Sequence, residues 1–237
     1  RRTVAQMAKW QTSLVIPNAG WTSLTGLYEA GTAGTISGVD YCNGMPSVAG
    51  ISVPDPPGYT QDGSFDPTGD PPLEEGGTVA ELIEELGIDW EGIINHTAIT
   101  PDIVIPGGTW PLFASSDYWP IIHVTGDFAL PGSGQGILIV SGGSLSISGG
   151  RTWNGIVLVG RNLTSNGNNT VYGMVVTGLD AMLADDPQAW AQALGQNSVG
   201  NGNKIYQYDS CSIASATESL AGFEVLDNAW MDNWPVE

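Results

Sequence analysis

The sequence predicts a mainly β protein: a β-solenoid of parallel β-helix type, with coils of about 18 residues and a few short flanking helices. Three observations carry this. Short apolar runs recur between Gly-rich turns, beginning near Asp102-Ile-Val-Ile105, Ile121-Ile-His-Val124, Ile137-Leu-Ile-Val140, Ile156-Val-Leu-Val159 and Met174-Val-Val176. Whole units match one another: Gly136-Ile-Leu-Ile-Val140-Ser-Gly142 with Gly155-Ile-Val-Leu-Val159-Gly160, and Gly173-Met-Val-Val-Thr177-Gly178 as a third copy. Between them, Ser144-Leu-Ser-Ile-Ser148 and Asn162-Leu-Thr-Ser165 alternate, which places Leu and Ile on one face and Ser and Thr on the other. A fixed period with one apolar strand per unit is the mark of stacked coils that share a core. An antiparallel β-sandwich is the alternative, because its strand spacing of about 8–12 residues is also compatible.

The elements follow in chain order. Val4, Met7 and Ala8 fall at helical spacing, so residues 1–14 read as a helix that Pro17 stops. Residues 15–60 read as short strands and turns, for example Gly34 to Val39. Residues 54–77 hold six prolines, which oppose both helix and central strand, and read as a long surface loop. Thr78 and Glu81 form a capping box ahead of the stripe Val79, Leu82, Ile83 and Leu86, and Gly87 ends that helix. After the repeats, Leu179 to Gly195 reads as helical, with Asp186-Pro187 as N-cap and first-turn pair. Lys204 to Tyr208 resembles one more strand, Ala214 to Ala221 a short helix, and the tail from Asn228 to Trp234 an aromatic cap. The organisation expected is residues 1–77 as an N-terminal helix, short strands and a Pro/Gly/Asp-rich loop. Residues 78–237 then form a capping helix, repeats over about 101–178 and a C-terminal helical and aromatic cap.

Composition narrows the function. The 237 residues carry 25 acidic against 6 basic side chains, a net charge of −19, which repels phosphate backbones and excludes a nucleic-acid binder. No apolar run is long enough to span a bilayer. The chain begins Arg1-Arg2 without Met, which suggests processing and leaves room for an upstream anchor. Cys42 and Cys211 lie in no Cys-x-x-Cys pair and have no nearby His, so they read as one long-range disulfide of an exported protein; two buried thiols are the alternative.

The stretch Gly107-Gly-Thr-Trp110, Trp153-Asn-Gly-Ile-Val-Leu-Val159 and Asp209-Ser-Cys211 resembles the exported β-rich C-terminal region of bacterial pilin-like, pilus-assembly-related envelope proteins. It covers about the last 140 residues. The Gly-rich rhythm of residues 120–178 also resembles the β-helices of bactofilins, which are polymer-forming scaffolds. The first resemblance implies an exported domain of an envelope assembly, the second a self-polymerising scaffold. Neither transfers a catalytic motif, and the hydrophobic helix of the pilin pattern is not in this sequence.

Catalytic patterns are sparse. No G-x-S-x-G, P-loop, H-E-x-x-H or EF-hand loop occurs. His123 sits inside an apolar run and reads as a strand histidine. Asp102, Asp117 and Asp127, with Arg151 and Arg161, are the residues a polysaccharide hydrolase or lyase would use. Trp110, Trp119 and Trp153 either pack between coils or line a sugar-binding face. Asp62, Asp66, Asp70, Glu74 and Glu75 offer oxygen ligands for calcium on the acidic loop, but at no defined spacing. The functional expectation is a non-enzymatic periplasmic or cell-surface domain. It would be an accessory subunit of a pilus-like fibre or membrane complex, with no cofactor. Arg1, Arg2 and Trp10, together with the acidic loop, are its expected docking surfaces. A carbohydrate-binding or polysaccharide-active protein and a self-polymerising scaffold are the alternatives.

Overall fold

A computed structural model describes residues 3–11, 16–31, 33–64, 66–113, 115–200, 202–220 and 222–233, with the backbone course alone for 3–11 and 222–233. The first strands are β1 (Thr3–Gln11), β2 (Ala19–Ser23), β3 (Leu27–Glu29), β4 (Gly34–Ser37), β5 (Ala49–Val53), β6 (Tyr59–Gln61) and β7 (Leu73–Glu75). Helices α1 (Val79–Leu86) and α2 (Trp90–Ile94) follow. Next come β8 (Ile103–Ile105), β9 (Ile121–Thr125), β10 (Phe128–Ala129) and β11 (Gly134–Ser141). They lead to β12 (Leu145–Ser148), β13 (Thr152–Val159), β14 (Leu163–Asn166) and β15 (Thr170–Thr177). A 3-10 turn at Leu179–Leu183 precedes α3 (Pro187–Leu194), β16 (Asn197–Val199), β17 (Lys204–Tyr208), α4 (Ser210–Thr217) and β18 (Gly222–Asn233).

The expected solenoid is not what these strands form. They make two open parallel sheets, of ten and six strands, beside four α-helices among the described residues. The larger runs β7-β5-β2-β15-β13-β11-β9-β8, with β17 beside β15 and β4 beside β17; the smaller runs β10-β12-β14-β16-β3-β6. Neighbours are therefore out of chain order: β2 sits between β5 and β15, and β3 between β6 and β16. A column of successive coils would keep chain order throughout. The sandwich alternative fails as well, because the pairings within both sheets are parallel. The sequence repeat reports register rather than coil closure. Gly136 pairs with Gly155 and Gly155 with Gly173, so the matched units lie side by side in β11, β13 and β15.

Burial explains the unbroken apolar runs. Strands covered on both faces need no alternation. Leu138, Val140, Val157, Val159 and Val175 join a core shared with Leu145, Ile147 and Leu163 of the smaller sheet. Ile137, Ile139, Ile156, Leu158, Met174 and Val176 point the other way and pack against Val79, Leu82 and Leu86 of α1 and Trp90 and Ile93 of α2. The strands of the smaller sheet do alternate: in β12, Leu145 and Ile147 are buried while Ser146 and Ser148 are exposed.

Local chemistry sets the helix ends. Thr78 accepts from the Glu81 backbone N–H while the Glu81 carboxylate accepts from Thr78 N, completing the capping box, and Gly87 closes α1 at φ 58°. Asp186 caps α3 with Pro187 in its first turn.

Four further expectations are corrected. Thr3–Gln11 is a strand, not a helix, and pairs antiparallel with Gly222–Asn233, which in turn is not a capping tail but the second strand of a terminal ribbon. The Pro-rich segment carries two short strands, β6 and β7, each at the edge of its sheet, where a missing N–H removes no ladder bond. The helix expected across 179–195 is split into the 3-10 turn and α3.

Candidate functional site

Two features stand out: a disulfide-locked knob, and a serine–histidine–histidine chain beside a cleft.

The knob spans residues 39–45. Cys42 is bonded to Cys211, with Cα atoms 5.8 Å apart, so the expected disulfide is present. Inside the turn, Asp40 Oδ2 accepts from the N–H groups of Gly44 and Met45, both at 2.8 Å, and from Ser210 Oγ at 2.7 Å. Asp40 Oδ1 accepts from Ser210 N–H at 2.8 Å. Burial raises the Asp40 carboxyl, but these hydrogen bonds outweigh it and hold the group below its usual range. Tied in this way, the turn presents Val39, Tyr41 and Met45 to solvent at 46%, 62% and 60% exposure. The Tyr41 ring rests on Tyr172, centroids 4.8 Å apart.

The second feature lies on the helix-covered face of the larger sheet. His123 on β9 shares that face with Ile121, and Ser141, the last residue of β11, shares it with Ile137 and Ile139. His123 Nε2 is 2.7 Å from Ser141 Oγ, and His123 Nδ1 is 2.6 Å from His96 Nε2. His96 follows α2 at φ 60°, a conformation rare outside glycine, and stands edge-on to His123. Its position is held by α2. Asp89 caps that helix, Trp90 and Ile93 bury beneath it, and Trp90 Nε1 donates to Asp180 Oδ1 at 3.0 Å. Burial, and then the neighbouring His96, push the His123 imidazole below the usual histidine range. Ser141 and Gly142 open on a cleft of about 490 Å³ whose other walls include Ile94, Asp180, Leu183 and Trp190.

No family model, curated protein or solved structure matches this chain. Neither a pilin-like nor a bactofilin-like domain is therefore identified by relatives.

The remaining sequence-derived residues fall as follows. Arg1 and Arg2, and the side chain of Trp10, lie outside the described residues. The acidic residues 62–75 do not gather into a calcium site. Asp62 accepts from the Tyr28 hydroxyl at 2.8 Å and Glu75 from Tyr59 N–H at 2.6 Å. Among the described residues only Cys42, Asp209 and Cys211 bring three metal-ligating side chains together, and those two sulfurs are bonded to each other. Asp102 and Asp127 serve backbone N–H groups, of Ile121 and Ser144, rather than facing one another as a catalytic pair. Trp153 is fully buried and packs with Trp110 and Phe113, whereas Trp119 lines a cleft of about 670 Å³ with Tyr118, Asp102 and Ser219.

Sequence reading missed two things. Lys204 and Glu29 are both fully buried. The Lys204 ammonium donates to the carbonyls of Gly200 and Gly202, and burial pushes it below the usual lysine range, against the charge of Glu29. Burial likewise pushes the Glu29 carboxyl up, while hydrogen bonds from Gly31 and Gln61 and the charge of Lys204 pull it down. The histidine–serine chain was missed because His96 is brought in by a turn with no motif. The one available signal was the alignment of the repeats, which sets His123 opposite Ile139 and so one step from Ser141.

Proposed function

We propose that the chain is an extracytoplasmic docking domain, an accessory subunit seated on a larger membrane-associated or fibre assembly. The observation that carries this reading is the knob of Val39, Tyr41 and Met45, three exposed apolar side chains on a turn locked by the Cys42–Cys211 disulfide and the Asp40 hydrogen bonds. Rigid, exposed apolar anchors lose little freedom on binding and form the centre of protein interfaces. Twelve acidic residues and no basic ones fall between residues 40 and 91, a charge that steers a basic partner. The disulfide supports an oxidising compartment. No helix among the described residues is long and apolar enough to cross a membrane.

The test is a photo-cross-linking amino acid at position 41 in cells. A single discrete protein adduct, lost on Met45→Asp, is the expected result; a well-expressed, folded protein with no adduct overturns the reading. A carbohydrate-binding role is the second reading, favoured by Trp119 and Tyr118 in the larger cleft. It requires glycan-array binding that Trp119→Ala removes.

A further inference from the structure

We propose that Ser141 is an activated nucleophile that accepts the acyl group of a neutral carboxylic ester bound in the adjoining cleft, with His123 as its general base and His96 as a positioning residue. This reaches beyond the docking role and departs from the expectation of a chain without catalysis. It uses no residue of the 39–45 knob, so either reading can fail without the other.

Three observations converge. The first is geometry. A nucleophile needs a base within hydrogen-bond reach and the base needs an orienting partner. Ser141 Oγ, His123 and His96 form that sequence, with contacts of 2.7 and 2.6 Å. When Ser141 donates to His123 Nε2, the imidazole proton lies on Nδ1 and is donated to His96 Nε2. Both contacts accommodate the tautomer a base requires. The second is the held position of His96, whose φ of 60° is maintained by the turn after α2. Uncommon backbone conformations persist where the surrounding structure enforces them, and they cluster at functional sites. The third is access. Gly142, next to the serine, has φ 65° and open space over its Cα, so a substrate carbonyl can approach the backbone there.

The cleft sets the substrate class. Ile94, Leu183 and Trp190 offer apolar wall for a short acyl group. Asp180 on the same wall and the net charge of −19 disfavour an anionic substrate.

The step balances within the chain. The Oγ lone pair forms a bond to the ester carbonyl carbon as the Oγ proton passes to His123 Nε2. The carbon–alkoxy bond then breaks, and the alkoxide leaves as the alcohol with that proton. Water attacks the acyl-serine with His123 again taking a proton. The Ser141 Oγ–carbonyl bond breaks, the proton returns to Oγ, and the carboxylic acid departs.

The experiment treats the folded full chain with a fluorophosphonate, locates the adduct by peptide mass spectrometry and follows hydrolysis of p-nitrophenyl butyrate. Labelling at Ser141 is expected, with labelling and hydrolysis abolished in Ser141→Ala. In His123→Gln, hydrolysis should fall by at least about 100-fold. His96→Gln should lower kcat with KM unchanged. Because His123 is buried, its variant is read only with a wild-type far-UV spectrum; His96→Gln and Ser141→Ala supply the answer if it does not fold. A folded wild-type chain left unlabelled at Ser141, or hydrolysis that persists in Ser141→Ala, overturns the proposal.

Discussion

The carbonyl oxygen of Gly136 lies 2.3 Å from the point where a β-carbon on Gly155 would stand. The same contact recurs between Gly155 and Gly173 one strand further on, so the middle of the larger sheet is closed by a row of glycines at φ 112°, 117° and 140°. Gly155→Ala should therefore cost on the order of 3 kcal/mol, from a clash with backbone that cannot yield and from a disfavoured φ. Urea unfolding measures it. A change below about 0.5 kcal/mol would show that the strands are free to part at this row.

The Cys42–Cys211 bond joins residues 169 apart in sequence. Closing so long a loop constrains the unfolded chain, worth up to about 5 kcal/mol in the chain-entropy model. The Cys42→Ser/Cys211→Ser variant should melt several degrees lower than the oxidised protein. An unchanged melting temperature would sink the clasp.

Lys204 and Glu29 test the cost of a buried charge. Lys204→Met leaves two glycine carbonyls without their donor and removes a charge that favours the Glu29 carboxylate, and should destabilise by about 1–3 kcal/mol. Adding Glu29→Gln should restore part of that loss but not the part owed to the carbonyls. The double-mutant cycle checks this, and strict additivity of the two changes would mean that the charges do not interact.

His123 makes stability depend on pH with a definite sign. Its folded pKa is depressed below the unfolded value of about 6.5, so below that pH the unfolded chain binds the extra proton first. The contribution is fully present above about pH 6.5 and is lost as the pH falls through the folded pKa. Unfolding free energies at pH 7.5 and 5.5 should differ more in the wild type than in His123→Gln, because the carboxylates titrate alike in both. Equal differences in the two proteins would refute this.

What could be read in the sequence was what depends on neighbours along the chain. The Thr78–Glu81 capping box, Gly87, the Asp186-Pro187 start and the strands of the repeat region all rest on local spacing, and all appear where that spacing puts them. What could not be read depends on distant partners. Val4, Met7 and Ala8 fit a helix, yet pairing with β18 takes them into a strand. The in-register repeats of β11, β13 and β15 are compatible with several architectures, and the choice among them was made by β2 and β3 inserting beside β15 and β16. The candidate nucleophile shows the same division. Ser141 and His123 belong to the legible repeat, whereas the turn that brings His96 to them does not.

The place of β2 has a consequence for how the molecule is made. Its parallel neighbour β15 is separated from it by more than half the chain, with Trp21 set against Val175. A ribosome or export channel that delivers residues in order must release about three-quarters of the polypeptide before the first strands find that neighbour. Pairings of such long range are paid for late and form slowly. Until then the early strands remain open-edged and prone to improper association, so a holding chaperone or a slow, vectorial passage across a membrane would favour the yield of correctly closed protein.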